Sequence, residues 1–172
     1  MGDVIDMRSF KPSDNLKNYR NALGRFATGI AVVTAIGPED GPTAITINSF
    51  ASVSLNPALI LWSPDKNSRR HDTFVNAEHF VVHVLAAEQR YICDGFVKSA
   101  YAFDDVPHLY NEYGVPVIED CLAVFQCRQY ATHDAGDHTI VLGEVHRASH
   151  RPGEALVFAN GAFREIPVTQ QA

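Results

Sequence analysis

The segment TAITINSFASVSL, residues 43–55, alternates in a way that an ordinary solvent-facing strand does not. Its odd positions Ile45, Ile47, Ala51, Val53 and Leu55 are apolar, interrupted only by Ser49. Its even positions include Thr46, Asn48, Ser52 and Ser54, small and uncharged where a wet face would carry Lys or Glu. Such a row can hydrogen-bond a flat heteroaromatic ligand without burying a charge. The plain alternative is the wet side of a Ser/Thr-rich strand. Further on, PDKNSRR places Lys66, Arg69 and Arg70 together, the densest basic cluster in an acidic chain. Ser68 is expected to cap a short helix beginning near Arg69, and amides at a helix start beside cations suit a phosphate. A solvated basic loop is the competing reading. A third stretch, AGDHTIVLGEVH, puts His138 behind a Gly136–Asp137 turn. The turn needs glycine and aspartate but not histidine, so His138 is either a half-exposed strand residue or an imidazole placed for a ligand.

Other chemistries find little support. There is no GxGxxG after a strand, no GxxxxGKS/T, no GxSxG and no HExxH. His79 and His83 would form a metal pair only on a helix, but HFVVHVLA is β-rich and offers no third ligand, so no metal is expected. Cys93, Cys121 and Cys127 form no CxxC, which argues against a zinc knuckle or a disulfide framework. A net charge of -6 disfavours nucleic-acid binding, which rests on neutralising phosphates. No apolar run approaches a membrane span, and MGDVIDMRSF lacks the basic and apolar regions of a secretory signal, so a cytoplasmic protein is expected.

These residues need positioning elements. At 172 residues, of which 46% are hydrophobic, the chain is long enough for a core of its own. We expect a loose N-terminal arm over 1–13 and a single domain over 14–172. DNLKNYRNALGRFATG places Leu16, Tyr19, Leu23 and Phe26 at helical spacing, with Asp14 as N-cap and Gly29 near the end. IAVVTAI reads as a strand closed by the turn GPEDGP, then TAITINSFASVSL as one long strand and ALILWS as another. A short helix follows around TFVNA, a strand in HFVVHVLA, a helix in AEQRYICDGFV and an irregular stretch over 98–117. The strands CLAVFQCRQYATH and HTIVLGEVH come next, and one last strand lies in EALVFANGAFREI. The expectation is a mainly β fold with a few helices, an antiparallel barrel of six or seven strands. TIVLG and LAVF are apolar on both parities, so both faces should be covered. With few helices available, a homodimer is expected.

Four stretches in consistent order carry a family likeness: RNALGRFATGIAVVTA, ITINSFASVSLNPALIL, GDHTIVLGEV and LVFANGAFREI, spanning Tyr19 to Ile166. The chain resembles the short-chain flavin reductases, the small components of two-component flavin-dependent monooxygenases, which have the FMN-binding split-barrel fold. The resemblance implies hydride transfer from NADH or NADPH to FMN or FAD, with reduced flavin diffusing to a partner monooxygenase. By matching position it puts Thr46, Ile47, Asn48 and Ser49 against the isoalloxazine and ribityl chain. Ser52, Val53 and Ser54 would continue that contact, with Thr34 near the same wall. Lys66, Asn67 and Ser68 would hold the flavin phosphate. His138 would face the nicotinamide beside Gly136 and Asp137, while Phe163 and Arg164 would line its entrance. A flavin-binding electron carrier or storage protein without a nicotinamide site is the alternative, and a relative of the pyridoxal-phosphate oxidases is a third.

Overall fold

The structure is a computed structural model that describes residues 9–37 and 41–166. Most of the expected N-terminal arm and the centre of the GPEDGP turn lie outside the described residues.

Seven strands form one antiparallel sheet: β2 (Ala31–Gly37), β3 (Gly41–Ile47), β4 (Ala51–Leu55), β5 (Ala58–Trp62), β6 (His79–Val84), β9 (Ala123–Ala135) and β10 (His138–His150). Their order is β3-β2-β6-β9-β10-β5-β4, so the two outermost strands are consecutive in sequence. Only Asn48, Ser49 and Phe50 separate them. So short a link spans at most about 15 Å, and the sheet must curl until its edges approach each other. The result is the split barrel. The segment expected as one strand over 43–55 is therefore two, because the bend at 48–50 is the seam of the barrel.

Burial explains the apolar runs. Along β2, Ala31, Val33 and Ala35 join one core with Trp62, Phe74, Phe80 and Val141, while Val32 joins a second with Val81, Phe96, Ile118 and Val124. The second layer is built by α3 (Arg90–Lys98) and by a small hairpin, β7 (His108–Tyr110) with β8 (Pro116–Ile118). That hairpin lies within the stretch expected to be irregular. The cover expected on LAVF thus comes partly from the same chain, since Val124 faces this layer and Phe125 packs on the other core. Gly143 of β10 is closed in by a ring: a Cβ there would stand 2.5 Å from Phe80 Cζ.

His83 is buried in the core with both ring nitrogens engaged. Nδ1 lies 3.0 Å from the Val32 carbonyl, and the Ile118 amide donates to Nε2 at 3.0 Å. It joins β2, β6 and β8. Among the described residues no group of three or more His, Cys, Asp or Glu could hold a metal ion.

EALVFANGAFREI folds as a hairpin, β11 (Ala155–Ala159) and β12 (Ala162–Ile166), rather than one strand. Asn160 and Gly161 both have positive φ, 53° and 73°, as a two-residue hairpin turn requires. β11 also pairs β1 (Thr28–Gly29), giving a three-stranded sheet beside the barrel. Gly29, expected near a helix end, is in β1. The first helix, α1 (Leu16–Leu23), is shorter than expected and is capped by Asn15, whose side chain accepts from the Asn18 amide at 2.9 Å. Asp14, the expected cap, belongs to a preceding 3-10 turn, Pro12–Asp14. None of the α1 residues is buried, and Leu16, Tyr19, Leu23 and Phe26 are exposed. No helix among the described residues is long and apolar enough to cross a membrane.

Candidate functional site

The seam of the barrel gathers the uncharged polar residues. The Thr46 hydroxyl donates to the Cys93 carbonyl at 3.1 Å, which ties the end of β3 to α3. Ile47 is buried, whereas Asn48 is exposed. Ser49 Oγ accepts from the Ser63 amide at 3.0 Å and donates to its carbonyl at 3.3 Å. This pair fixes the bend against the start of the basic loop. A cavity of about 250 Å3 opens beside the bend, lined by Thr46, Ile47, Asn48, Cys93, Phe158 and Phe163 with Ile30 and Val97. No lining group carries a charge. Burial pushes the Cys93 thiol above its ordinary range, so it stays a neutral thiol.

The basic loop lies on the β9–β10 hairpin. The Thr139 amide donates to the Pro64 carbonyl at 3.1 Å, and the Lys66 amide to the Asp137 carbonyl at 2.9 Å. Asp65 and His138 form a single β-bridge. Lys66 Nζ pairs with the Asp134 carboxylate and donates to the Gly136 carbonyl at 2.6 Å. The ammonium holds the Asp134 carboxyl below the usual carboxylate range. At the turn, His138 Nδ1 lies 2.8 Å from Asp137 Oδ1, and the imidazole holds that carboxyl low as well. A carboxylate can only accept, so Nδ1 carries the proton towards Asp137. His138 Nε2 has no hydrogen-bond partner among the described residues. Thr139 in turn bonds His71 Nε2 through its hydroxyl at 2.8 Å.

Several expected placements change. α2 (His71–Asn76) starts after Arg70 and has no side-chain cap. Ser68 is not that cap; its Oγ accepts from the Arg70 amide at 3.2 Å within the loop. With six residues, α2 also offers little dipole to an anion. Arg70 is a strap rather than a loop cation: its Nη1 donates to the carbonyls of Ala44 at 3.2 Å and Phe96 at 2.5 Å. Partial burial lowers its pKa. Thr34 lies away from the seam surface. It is fully buried and its hydroxyl donates to the Pro116 carbonyl at 2.6 Å, so it exposes no atom to a ligand. Ser52, Val53 and Ser54 sit on β4, the edge strand, with a bulge at Val53. Val53 and Leu55, expected to face inward, are exposed. Ser54 spends its hydroxyl on the Asn56 amide at 3.2 Å.

The structure thus brings Thr46, Ile47, Asn48 and Phe163 to one cavity, and fastens the loop that carries Asn67 and Ser68 to Gly136, Asp137 and His138 through Asp65 and Lys66. Ser49 connects the two groups through Ser63. Phe163 meets Phe158 edge-on at 5.3 Å between ring centres. The Arg90 guanidinium lies 3.5 Å above the Phe163 ring, and Arg164 Nη1 donates to the Phe163 carbonyl at 3.1 Å. Arg90 escaped the sequence reading because it looks like one half of an exposed i,i+4 pair with Asp94, which it also is. An open cavity walled by rings and aliphatic groups, with hydroxyl and amide groups at its rim, fits the flat ring of a flavin better than a charged small molecule.

The chain matches the flavin reductase like domain over residues 23–167. It is 55% identical over 150 residues to the FMN reductase (NADH) SmoA of Agrobacterium fabrum, covering 87% of this chain and 86% of that protein. It is 37% identical over 151 residues to the reductase component of a flavin-dependent trigonelline monooxygenase of Acinetobacter baylyi, covering 87% of this chain but only 49% of that longer protein. Among solved structures, the NADH:FAD oxidoreductase SgcE6 of Streptomyces globisporus, in complex with NAD and FAD fragments, superposes with a TM-score of 0.85 at 36% identity, covering 95% of this chain and 99% of that one. With nearly the whole chain matched in sequence and fold, the protein belongs to the flavin reductase-like family.

Proposed function

We propose that the protein is an NAD(P)H-dependent flavin reductase that reduces FMN or FAD and supplies the reduced flavin to a partner monooxygenase in the cytoplasm. The observation that carries this reading is the uncharged seam cavity, linked through Ser49 and Ser63 to the hairpin that presents His138. A bound flavin supplies the hydride acceptor; the chain supplies position and polarity. Asn48, exposed at the bend, would offer its amide to the flavin edge. Thr46 and Ser49, whose hydroxyl protons go to the Cys93 and Ser63 carbonyls, would complete a neutral wall without a buried counter-charge. Lys66, Asn67 and Ser68 stand where the ribityl phosphate would end, although Lys66 is shared with Asp134. Asp137 fixes the His138 tautomer, leaving Nε2 to accept a hydrogen bond from the nicotinamide carboxamide. No protein group needs to exchange a proton with carbon. The relatives' names favour this reading over an electron carrier or storage protein: the Agrobacterium and Streptomyces relatives are both NADH-dependent flavin reductases.

The same reading takes the protein as a homodimer. An eight-residue helix is too short to persist alone in water, and α1 turns its apolar residues outward. A second copy over α1 and the exposed edge of β4 accounts for both. Oxidation of NADH and NADPH is followed under air with FMN, FAD or riboflavin added. Turnover with at least one pairing is expected, and none with any pairing overturns the reading. Sedimentation at low micromolar concentration should give the mass of two chains; a single-chain mass refutes the dimer.

A further inference from the structure

Next to the seam cavity lies a second one of about 380 Å3, lined by Arg90, Leu156, Phe163 and Arg164. The two share a wall, the Phe163 ring. One cavity is uncharged and ring-lined; its neighbour holds two guanidinium groups and, among the described residues that line it, no carboxylate. In a chain of net charge -6, two arginines from distant parts of the sequence at one opening are unusual. Their surroundings leave donors available. Asp94 takes only Arg90 Nε, at 3.0 and 3.2 Å, and the terminal nitrogens have no hydrogen-bond partner among the described residues. Arg164 gives Nη1 to the Phe163 carbonyl and has no carboxylate partner among the described residues. A guanidinium lying on a ring face keeps its in-plane N–H edge available for bidentate bonds to phosphate oxygens.

We infer that Arg90 and Arg164 hold the diphosphate of the reduced nicotinamide dinucleotide, whose nicotinamide ring reaches the neighbouring uncharged cavity past Phe163, the ridge between the two. The inference rests on the reductase reading and extends it to the part of the substrate beyond the reacting ring. The diphosphate is that of the reduced nicotinamide dinucleotide, because FAD's own begins with the ribityl phosphate assigned to Lys66, Asn67 and Ser68; FAD and FMN serve as controls. It uses the full-length chain and Arg90→Gln, Arg164→Gln and Arg90→Lys variants. Calorimetric binding and steady-state kinetics are measured with NADH against reduced nicotinamide mononucleotide, and with FAD against FMN. Each Gln variant should weaken NADH by roughly tenfold and reduced nicotinamide mononucleotide, which keeps one of the two phosphates, by clearly less, with FAD and FMN changed by less than about twofold and Arg90→Lys intermediate. A loss confined to NADH supports the inference, and one confined to FAD overturns it. Equal losses for dinucleotide and mononucleotide would mean Arg90 only steadies Phe163, and the inference fails. No loss for either dinucleotide also overturns it. Should Arg90→Gln fold poorly, Arg164→Gln, which breaks no ion pair among the described residues, carries the test. Because calorimetry needs no turnover, a wild-type protein that reduces no flavin would refute the reductase reading while leaving the binding result interpretable.

Discussion

His83 should make the stability of this protein fall in mild acid, and the amount follows from two hydrogen bonds. The Ile118 amide can only donate, so Nε2 must present a lone pair and Nδ1 the proton that meets the Val32 carbonyl. Protonation at Nε2 would set N–H against N–H in a site with no water access. Burial accordingly lowers the His83 pKa from 6.5 to about 4, only partly offset by the bond to Val32. Between those values the unfolded chain binds a proton that the folded chain refuses, so stability drops as pH falls through this window and levels off below it. A shift of this size corresponds to about 3 kcal/mol. The assay is urea unfolding of wild type and His83→Gln at several pH values from neutral to about 4. Gln can serve both partners but does not titrate, so it should be less stable at neutral pH and lose less on acidification. The gap between the two should shrink by about 3 kcal/mol, while the carboxylates common to both cancel. A gap that stays constant across the range would refute the assignment of a neutral core imidazole.

His138→Ala should lower kcat/KM for the nicotinamide substrate by about 10- to 100-fold, as one hydrogen bond and its alignment are lost, with flavin affinity changed less than about threefold by titration. Collapse of flavin binding with unchanged nicotinamide kinetics would place the imidazole elsewhere. Lys66→Ala should weaken FMN or FAD binding by roughly 1.5–3 kcal/mol while riboflavin is largely spared, and equal losses for all flavins would put the phosphate at another site. Gly143→Ala drives a methyl group against Phe80 and Cys127 in the core. It should cost about 1–3 kcal/mol in urea unfolding, and an unchanged midpoint would mean that Phe80 has room to move.

Much of the strand set was legible because β2 and β6 are continuous apolar runs and the β9–β10 turn has glycine and aspartate where they belong. The split of residues 43–55 was not, since alternation continues across Asn48–Phe50 and only closure of the barrel demands the bend. The Asn160–Gly161 turn carried a usable signal, an Asn-Gly pair between apolar runs, that was read as part of one strand. At the site, residue types pointed to neutral ring contacts, yet side-chain chemistry alone could not tell a ligand contact from a structural bond. The Thr34, Thr46 and Ser54 hydroxyls all look available until their partners, the Pro116 carbonyl, the Cys93 carbonyl and the Asn56 amide, are seen. Arg70 likewise reads as a loop cation, and only the packing of α3 against β3 turns it inward.

The docking of the basic loop onto the β9–β10 hairpin limits how the two substrate affinities can evolve. Lys66, Asp65 and Pro64 are fastened through backbone and side chain to Asp137, His138 and Thr139. On the proposed assignment, Lys66 for the flavin phosphate therefore travels with His138 for the nicotinamide. Exchanging this loop for one of different length, in order to retune flavin choice, would also move the imidazole. Such chimeras should change the Michaelis constants of both substrates together, whereas substitutions confined to β12 leave the hairpin in place. If those assignments hold in the chimeras, selectivity for flavin and for nicotinamide is a joint property of one fastened unit, to be varied at Lys66 and His138 as a pair.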